Sequence, residues 1–253
     1  AIDAGESPPE PESPSSPNVL RDVPMRGIHA RIAQRMHTSH QDTAPVTLTT
    51  EADATALVEA RERLKAALAD DLGFNLGYND LLIKLVARAL RTFPYMNAAL
   101  GPSGVEDELT IHHLEDVNVA LAVDTEQGLL VPVIREADAK PLTEIAQELR
   151  DLVRRAREGE ATPDELSGST FTITNIGMHE IDAFTPIINL PEAAILGVGR
   201  IKARPAVHMG ELCVRQTVWV SLTFDHRLVD GAPAARFLQH VKGLIEEPYL
   251  LVA

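Results

Sequence analysis

The sequence has little of what disulfide, metal–thiolate or membrane chemistry requires. Cys213 is the only cysteine among 253 residues, which excludes an internal disulfide framework and any site built on several cysteines, and which is typical of a reducing compartment. No stretch approaches the roughly 18 consecutive apolar residues of a membrane helix. The opening residues AIDAGESPPE lack the basic and apolar regions of a signal peptide. We therefore expect a cytoplasmic protein with no membrane partner, or a mitochondrial matrix protein if the source is eukaryotic.

Basic side chains are also scarce. The chain has 23 Lys and Arg residues against 37 Asp and Glu residues, a formal net charge of −14. This balance argues against a nucleic-acid partner, because such surfaces rely on cations that neutralise phosphates. Aromatic residues make up only 4% of the chain, but 45% of its residues are hydrophobic. That content is enough for one large globular domain or two small ones.

Proline is concentrated at the start of the chain. Five of the 17 prolines lie in residues 1–17, among Glu and Ser and with almost nothing apolar to bury. Because such a segment cannot offset the entropy of ordering, we predict an extended, flexible linker over residues 1–20 and a folded domain over 21–253. We expect this linker to be the end of a longer one that joins an upstream domain. The alternative is a disordered N-terminus with no tethered neighbour.

The rest of the chain alternates between helical and strand patterns. Apolar residues at helical spacing predict helices over 26–40, 53–70, 79–92, 142–158 and 231–246. Alternating or short apolar runs predict strands over 45–51, 116–123, 129–134, 170–174, 193–201 and 213–224. Together they predict an α/β fold with a mixed β-sheet. Cys213 falls inside the last strand, where we expect an inert core residue.

The most informative segment follows that last strand and reads SLTFDHRLVDG over residues 221–231. His226 lies in a charged loop between a strand and a helix, a position that suits a general base at neutral pH. The alternative is a solvated or structural histidine, which is the more common role of an isolated loop histidine. Asp230 directly precedes the predicted helix, where its carboxylate would cap the helix N-terminus. This capping role is compatible with fixing the loop that carries His226.

A second candidate is a row of threonines on one strand. Period-two alternation places Thr170, Thr172 and Thr174 on the same face. One of these hydroxyls, at the end of the strand, would serve as a donor to an oxyanion. The alternative is the solvated face of an ordinary strand, which the pattern alone favours.

Other catalytic and binding motifs are weak or absent. His37 and His40 lie three residues apart on a helix and His112 adjoins His113, but neither pair has an evident third ligand, so we expect no metal. There is no GxSxG elbow and no phosphate-binding P-loop, and the glycines at 197 and 199 lack the third glycine of a dinucleotide fingerprint. These absences argue against serine hydrolase, P-loop NTPase and simple Rossmann functions.

Five segments, in order, resemble the catalytic domain of dihydrolipoamide acyltransferases, the acyltransferase components of 2-oxo acid dehydrogenase complexes. They are RGIHARIAQRM (26–36), DTEQGLLVPVI (124–134), STFTITNIG (169–177), PIINLPEAAILGVG (186–199) and DHRLVDGA (225–232), the last containing the HxxxDG motif. The resemblance extends from about Val23 to the C-terminus. It implies the two-layer sandwich of the chloramphenicol acetyltransferase-like superfamily, with a mixed sheet and a trimeric building block.

The resemblance also implies a reaction, which is acyl transfer between a dihydrolipoyl thiol and the thiol of coenzyme A. His226 would remove the thiol proton, and Thr174, at a position where serine is common in the family, would donate to the oxyanion. Asp230 would order the loop and pair with a cation, Arg31 or Arg35.

Further roles follow from the same resemblance. Asp225 and Arg227 would shape the loop around the base. Residues Asp124 to Gly128, together with Asn175, would lie on the side where coenzyme A enters, and its phosphates would need a local cluster of arginines. The stretch HEID over residues 179–182 departs from a family segment that is often glycine-rich, so substrate selectivity would change there.

Family members assemble, and the resemblance implies the same here. Each active site would lie between two subunits of a trimer, with His226 and Thr174 from neighbouring chains, and trimers would form a 24-mer or 60-mer core. The lipoyl group, the decarboxylase and dihydrolipoamide dehydrogenase would act through upstream domains that this chain lacks. The acyl group, whether acetyl, succinyl or branched-chain, stays open. Alternatives are a chloramphenicol-type O-acetyltransferase and a catalytically silent scaffold.

Overall fold

A β-sheet and a set of α-helices form two layers in the computed structural model, which describes residues 18–102 and 109–252. The helices are α1 (Gly27–Asp42), α2 (Thr55–Ala67), α3 (Ala69–Leu72), α4 (Tyr78–Thr92), α5 (Leu142–Glu158) and α6 (Gly231–Glu246). The strands are β1 (Pro45–Asp53), β2 (Ala98–Pro102), β3 (Leu109–His113), β4 (Val119–Thr125), β5 (Gly128–Leu130), β6 (Val133–Ile134), β7 (Phe171–Asn175), β8 (Ala194–Val198), β9 (Lys202–His208) and β10 (Glu211–Asp225).

The main sheet has the strand order β1-β10-β8-β7-β4-β5, with β6 also paired to β4 and β9 to β10. Strand β7 runs parallel to both of its neighbours, β4 and β8, and the other pairs are antiparallel. Strands β2 and β3 form a separate antiparallel ribbon. The predicted α/β fold with a mixed sheet is therefore confirmed.

Apolar side chains fill the space between the helices and one face of the sheet. In β10 the alternate residues Val218, Val220, Leu222 and Phe224 are all buried in this core. Phe171 of β7 packs on Phe237 of α6, with ring centroids 5.8 Å apart. The apolar stripe of α5 buries five side chains, and the helix ends at Gly159, whose φ of 75° suits a glycine cap.

The opposite face of the sheet carries hydroxyl groups. Thr47 and Thr223 share a hydrogen bond of 2.8 Å, and Thr49 donates to Ser221 at 3.2 Å. Helix α1, about 24 Å long at 1.5 Å per residue, extends from the β4–β5 turn to the end of β10. A Cβ built on Gly128 would lie 3.1 Å from Ile32 of α1, and the residues after α1 contact Asp225.

Several predicted elements differ from the structure. The helix predicted over 53–70 is interrupted at Leu68 between α2 and α3, and the run 129–134 is divided into β5 and β6 around Pro132, which has no N–H for a ladder. Strands β2, β3 and β9 were not predicted. Cys213 does lie in β10, but it is partly exposed, so its assignment to the core is wrong. Residues 211–216 of β10 pair with β9 alone, so among the described residues no second strand lies beside this half of β10.

Of the predicted linker, residues 1–17 lie outside the described residues, and residues 18–20 are exposed. Within the two described ranges, no helix has the length and apolar character needed to cross a membrane.

Candidate active site

The loop that carries His226 is held at its base by an ion pair between a buried carboxylate and a partly exposed arginine. Asp225, the last residue of β10, is 2% exposed. Its carboxylate accepts hydrogen bonds from the amides of Ala44 and Arg227 and from the Arg227 guanidinium, the shortest at 2.6 Å. Burial alone would raise the pKa of Asp225, but the hydrogen bonds from Arg227 and Ala44 hold this pKa below its usual value. The entrance of the loop is therefore rigid.

His226 itself is accessible. Its amide donates to the carbonyl of Ala44 at 2.9 Å, which fixes the backbone, while its side chain is 45% exposed. The imidazole packs beside the ring of Phe224, with centroids 5.7 Å apart. Its Nδ1 lies 3.9 Å from Oδ1 of Asp230, too far for a hydrogen bond. The structure thus presents an imidazole to solvent on a fixed backbone.

Asp230 occupies the N-cap position of α6, as predicted, but its side chain forms no capping hydrogen bond. That side chain is 85% exposed, so the predicted capping contact of the carboxylate is wrong. The predicted pairing with an arginine is also not made within the described residues. Arg35 instead donates to the carbonyl of Leu190 at 2.8 Å, and no ion pair joins Arg31 to Asp230 in this part of the chain. The carboxylate of Asp230 is therefore directed to solvent beside His226.

Thr174 lies near the C-terminal end of β7, between Ala122 of β4 and Gly197 of β8. Of the three aligned threonines, Thr170 and Thr172 are 5% and 1% exposed, so a solvated strand face is wrong for both. Thr174 is half-buried. It is the only hydroxyl of the row that a molecule at the strand end can reach.

The predicted coenzyme A residues lie at the same end of the strands as Thr174. Asp124 and Gly128 flank the β4–β5 turn, where the Thr125 hydroxyl donates to the Gly128 carbonyl at 2.6 Å. Asn175 follows Thr174 and donates through Nδ2 to Oδ1 of Asn79 at 2.8 Å. Because β4 is the neighbour of β7, the structure brings these residues together.

A cavity of about 1040 Å³ opens beside Asn175, between α4, α5 and the sheet. The guanidinium groups of Arg150, Arg154 and Arg157 on α5 line it. Arg150 stacks on the ring of Phe74, 4.4 Å from the ring centroid. These arginines therefore share a cavity with Asn175, one of the predicted coenzyme A residues.

The segment after β7 is fixed by charge. Asp182, in the stretch that departs from the family pattern, accepts hydrogen bonds from Lys202, Arg200 and Arg204. The hydrogen bonds from Lys202 and Arg200 lower the pKa of Asp182 to about 2. This carboxylate ties the segment to the start of β9.

The two central candidates do not meet within one chain. The sheet register places Thr174 level with Gly197 and Ser221, two strands away. His226 follows Ser221 by five residues, so at about 3.3 Å per residue and 4.8 Å per strand the separation is on the order of 15–20 Å. Direct catalysis requires groups within hydrogen-bond reach of one substrate. A single chain therefore holds two half-sites at opposite ends of the strands, one after β7 and one after β10.

The sequence patterns did not indicate one buried titratable group, the carboxyl of Glu192. Glu192 is 2% exposed, and its Oε1 accepts hydrogen bonds from Ser169, Thr172 and Asn189. Burial raises the pKa of Glu192 to about 7, although these hydrogen bonds and Arg35 act to lower it. A lone acidic residue inside the apolar run 186–199 was the available signal. No cluster of three or more potential metal ligands occurs in the described residues, including the four histidines considered above.

Comparisons with known proteins agree with this architecture. The chain matches the family described as "2-oxoacid dehydrogenases acyltransferase (catalytic domain)" over residues 17–253. It is 42% identical over 228 residues to the dihydrolipoyllysine-residue acetyltransferase component of the pyruvate dehydrogenase complex of Bacillus subtilis, covering 90% of this chain. The chain spans about half the length of that relative, 50%.

Solved structures give the same result. A dihydrolipoamide acetyltransferase of Azotobacter vinelandii, studied for the role of a serine, a histidine and an asparagine in its catalytic mechanism, superposes with a TM-score of 0.86 at 36% identity, covering 95% of this chain and 100% of that one. The cubic core of a pyruvate dehydrogenase multienzyme complex gives 0.86 at 35% identity with the same coverage. A chloramphenicol acetyltransferase, at 16% identity, 84% and 94% coverage and a TM-score of 0.52, shares the fold. The chain belongs to the family of 2-oxoacid dehydrogenase acyltransferase catalytic domains.

Proposed function

We propose that this chain transfers an acetyl group between coenzyme A and a dihydrolipoyl thiol. The observation that carries the proposal is the accessible imidazole of His226 on a loop fixed by Asp225 and Arg227. The relatives' names, dihydrolipoyllysine-residue acetyltransferase and dihydrolipoamide acetyltransferase, supply the acyl group and the acceptor. Residues 21–253 form the catalytic domain, and residues 1–20 are the linker to the domain that carries the lipoyl group.

The residue spacing supports the roles of the site. In the Azotobacter vinelandii enzyme, the histidine named for its catalytic role follows the serine by 52 positions, and the asparagine follows the histidine by four. Thr174, His226 and Asp230 have the same spacing here. Threonine keeps the hydroxyl of serine, and aspartate keeps the size and acceptor oxygen of asparagine while adding a charge.

The mechanism follows from the chemistry of these groups. A thiol with a pKa of about 8.5 is mostly protonated at pH 7, so His226 accepts its proton as the sulfur attacks the thioester carbonyl. The oxygen of the tetrahedral intermediate receives a hydrogen bond from the Thr174 hydroxyl. The bond to the departing sulfur then breaks, and the proton on His226 passes to that thiolate.

The active site needs two chains, because His226 and Thr174 lie on the order of 15–20 Å apart in one. A closed ring of three subunits pairs the His226 of each with the Thr174 of the next. The side of Asp124, Gly128 and Asn175 receives coenzyme A, with the arginines of α5 facing its phosphates. The larger core, for which the solved cubic core is the precedent, brings the site to lipoyl domains and to the decarboxylase and dihydrolipoamide dehydrogenase.

An apolar surface favours this assembly. The β9–β10 ribbon pairs Val207 with Leu212 and Pro205 with Val214, so all four side chains share one face. Val207, Leu212 and Val214 are each more than 70% exposed in the single chain. A neighbouring subunit would remove this patch from water.

The direct test is acetyl transfer from acetyl-CoA to dihydrolipoamide. We expect His226→Ala to lose at least about 10²-fold in turnover while the assembly stays intact in light scattering. The matched control is His113→Ala, an exposed histidine on β3. Unchanged turnover in His226→Ala would exclude the proposed base. Wild-type transfer to chloramphenicol alone would establish an O-acetyltransferase, and no transfer to either acceptor would indicate a silent scaffold.

A further inference from the structure

The strand that carries Thr174 is held by a buried carboxyl group. The Thr172 hydroxyl, two residues before Thr174 and on the same face, donates to Oε1 of Glu192 at 2.8 Å. Asn189 donates to the same oxygen at 2.8 Å and also to the Thr172 hydroxyl at 3.1 Å. Ser169 completes the set. Three donors from two chain segments therefore converge on one oxygen atom.

The residue that follows Glu192 contacts the other half-site. The carbonyl of Ala193 accepts a hydrogen bond from the amide of Asp225 at 2.9 Å, directly before His226. Glu192 also lines a cavity of about 630 Å³ together with Asp225 and Arg227. Residues 192 and 193 thus lie between the strand of Thr174 and the loop of His226.

We propose that Glu192 is a positioning residue that ties the strand of Thr174 to the loop of His226. This inference rests on the function proposed above, because it assigns a role relative to those two groups. Glu192 does not contact the substrate. It acts through Thr172 on one side and through the backbone of Ala193 on the other.

Below about pH 7, Glu192 performs this role in its neutral form. Its Oε2 is buried and has no hydrogen-bond partner among the described residues. A charged oxygen without a partner at a buried position is much less favourable than a neutral hydroxyl there. Burial accordingly raises the pKa of Glu192 to about 7, against the opposing effects of Ser169, Thr172, Asn189 and Arg35.

Charged groups around the Glu192 carboxyl influence the balance between its neutral and charged forms. Arg35 of α1 acts on Glu192 and favours its charged form. Asp225 and Arg227 of the loop face the same cavity as an ion pair, and Asp42 lies at its rim. His112 of β3 lies opposite Ala99, whose backbone bridges Glu192. Raising the pH through about 7 places a negative charge at this buried position, and the loss of solvation there costs free energy in the folded state.

The test compares Glu192→Leu with Glu192→Gln in the assembled protein. Leu removes the acceptor, so we expect kcat to fall about 10- to 100-fold with KM for acetyl-CoA unchanged within about twofold. Gln keeps the carbonyl oxygen and has no charge at any pH, so it preserves kcat at pH 6. We expect the wild type to lose kcat above pH 7, and Gln abolishes that loss. The control Glu59→Gln, an exposed residue of α2, retains the wild-type pH profile.

A second measurement covers a Leu variant that does not assemble. Thr172→Val removes one donor with little change in volume, and we expect kcat to fall about threefold or more. The infrared band of a protonated carboxylic acid, present in the wild type at pH 6, disappears in Glu192→Gln. Wild-type kcat in both Glu192→Leu and Thr172→Val, or identical pH profiles of Glu192→Gln and wild type, would overturn the inference.

Thr174→Val, measured in parallel, separates the two claims. If Thr174→Val is impaired and the Glu192 and Thr172 variants are not, the positioning role fails and the proposed site stands. If Thr174→Val is as active as the wild type, the proposed oxyanion donor fails, and the role of Glu192 fails with it.

Discussion

A single hydroxyl of β7, that of Thr174, has the proposed catalytic role. Thr174 is half-buried at the strand end, whereas the hydroxyls of Thr170 and Thr172 are buried and donate hydrogen bonds to other residues of the chain. Thr174→Val removes the donor while keeping the shape, so we expect kcat to fall about 10²–10³-fold. Thr174→Ser keeps the hydroxyl and retains activity. Steady-state kinetics with acetyl-CoA and dihydrolipoamide make the comparison, and equal rates for Val and Ser would contradict it.

The buried carboxyl predicts an unusual pH dependence of stability. The folded-state pKa of Glu192, about 7, is above its ordinary value of 4.5. Its contribution is therefore fully present below pH 4.5 and is lost as pH rises to 7, a loss on the order of 3 kcal/mol. Glu192→Gln has no such proton to lose. Urea unfolding at pH 5 and pH 8 should show that the variant gains on the wild type at the higher pH, and a constant difference would contradict this.

At this scale the sequence predicted the residues whose chemistry is local and exposed. His226 was predicted because a histidine in a charged loop after a strand is visible in the chain itself. Alternation marked the face of Thr170, Thr172 and Thr174, and the family resemblance then indicated Thr174. Glu192 was missed because its significance depends on Ser169, Thr172 and Asn189, which only the fold brings together. The arginine pairing predicted for Asp230 is not made within the described part of one chain, where Arg35 contacts Leu190 instead.

Two backbone segments touch at the end of β8. A Cβ built on Gly199 would lie 1.7 Å from the carbonyl oxygen of Asp182, so no side chain fits there without moving the backbone. We expect Gly199→Ala to lower the free energy of unfolding by at least about 2 kcal/mol. Gly243→Ala, on α6 with no atom within 4 Å of its Cβ, is the control and should raise it by up to about 1 kcal/mol. Urea titrations of both variants measure the effect, and similar values would contradict the proposed clash.

Helices and strands were predicted correctly where the pattern that defines them lies within the element itself. The bounds of α5 and α6 agree with the sequence patterns because an apolar stripe with clear ends defines a helix by itself. Strand β9 was missed because KARPAVH carries charges and Pro205 instead of a clean alternation, and its pairing is with β10 alone. The separation between β5 and β6 was missed because the continuous apolar run indicated one strand, although Pro132 within it has no N–H to donate.

The proposed shared site depends on the geometry of the single chain. One end of the strands carries Thr174, and the opposite end carries His226, each with its own supporting contacts. Neither half-site would give full activity alone, because a base without an oxyanion donor gives only part of the rate enhancement. The apolar face of the β9–β10 ribbon adds a hydrophobic reason for association. The sequence indicated a trimer only through family resemblance, since separation across a sheet cannot be read from a linear pattern.

Mixing two inactive variants tests the shared site. Chains with His226→Ala retain Thr174, and chains with Thr174→Val retain His226. In rings of three formed at random from equal amounts, about a quarter of the sites receive both intact residues. We therefore expect the co-assembled mixture to recover about a quarter of wild-type turnover. The control replaces either partner with the double variant, which leaves every site without its base or without its donor and should restore nothing. If the mixture stayed as inactive as its components, His226 and Thr174 would not be acting across a subunit boundary.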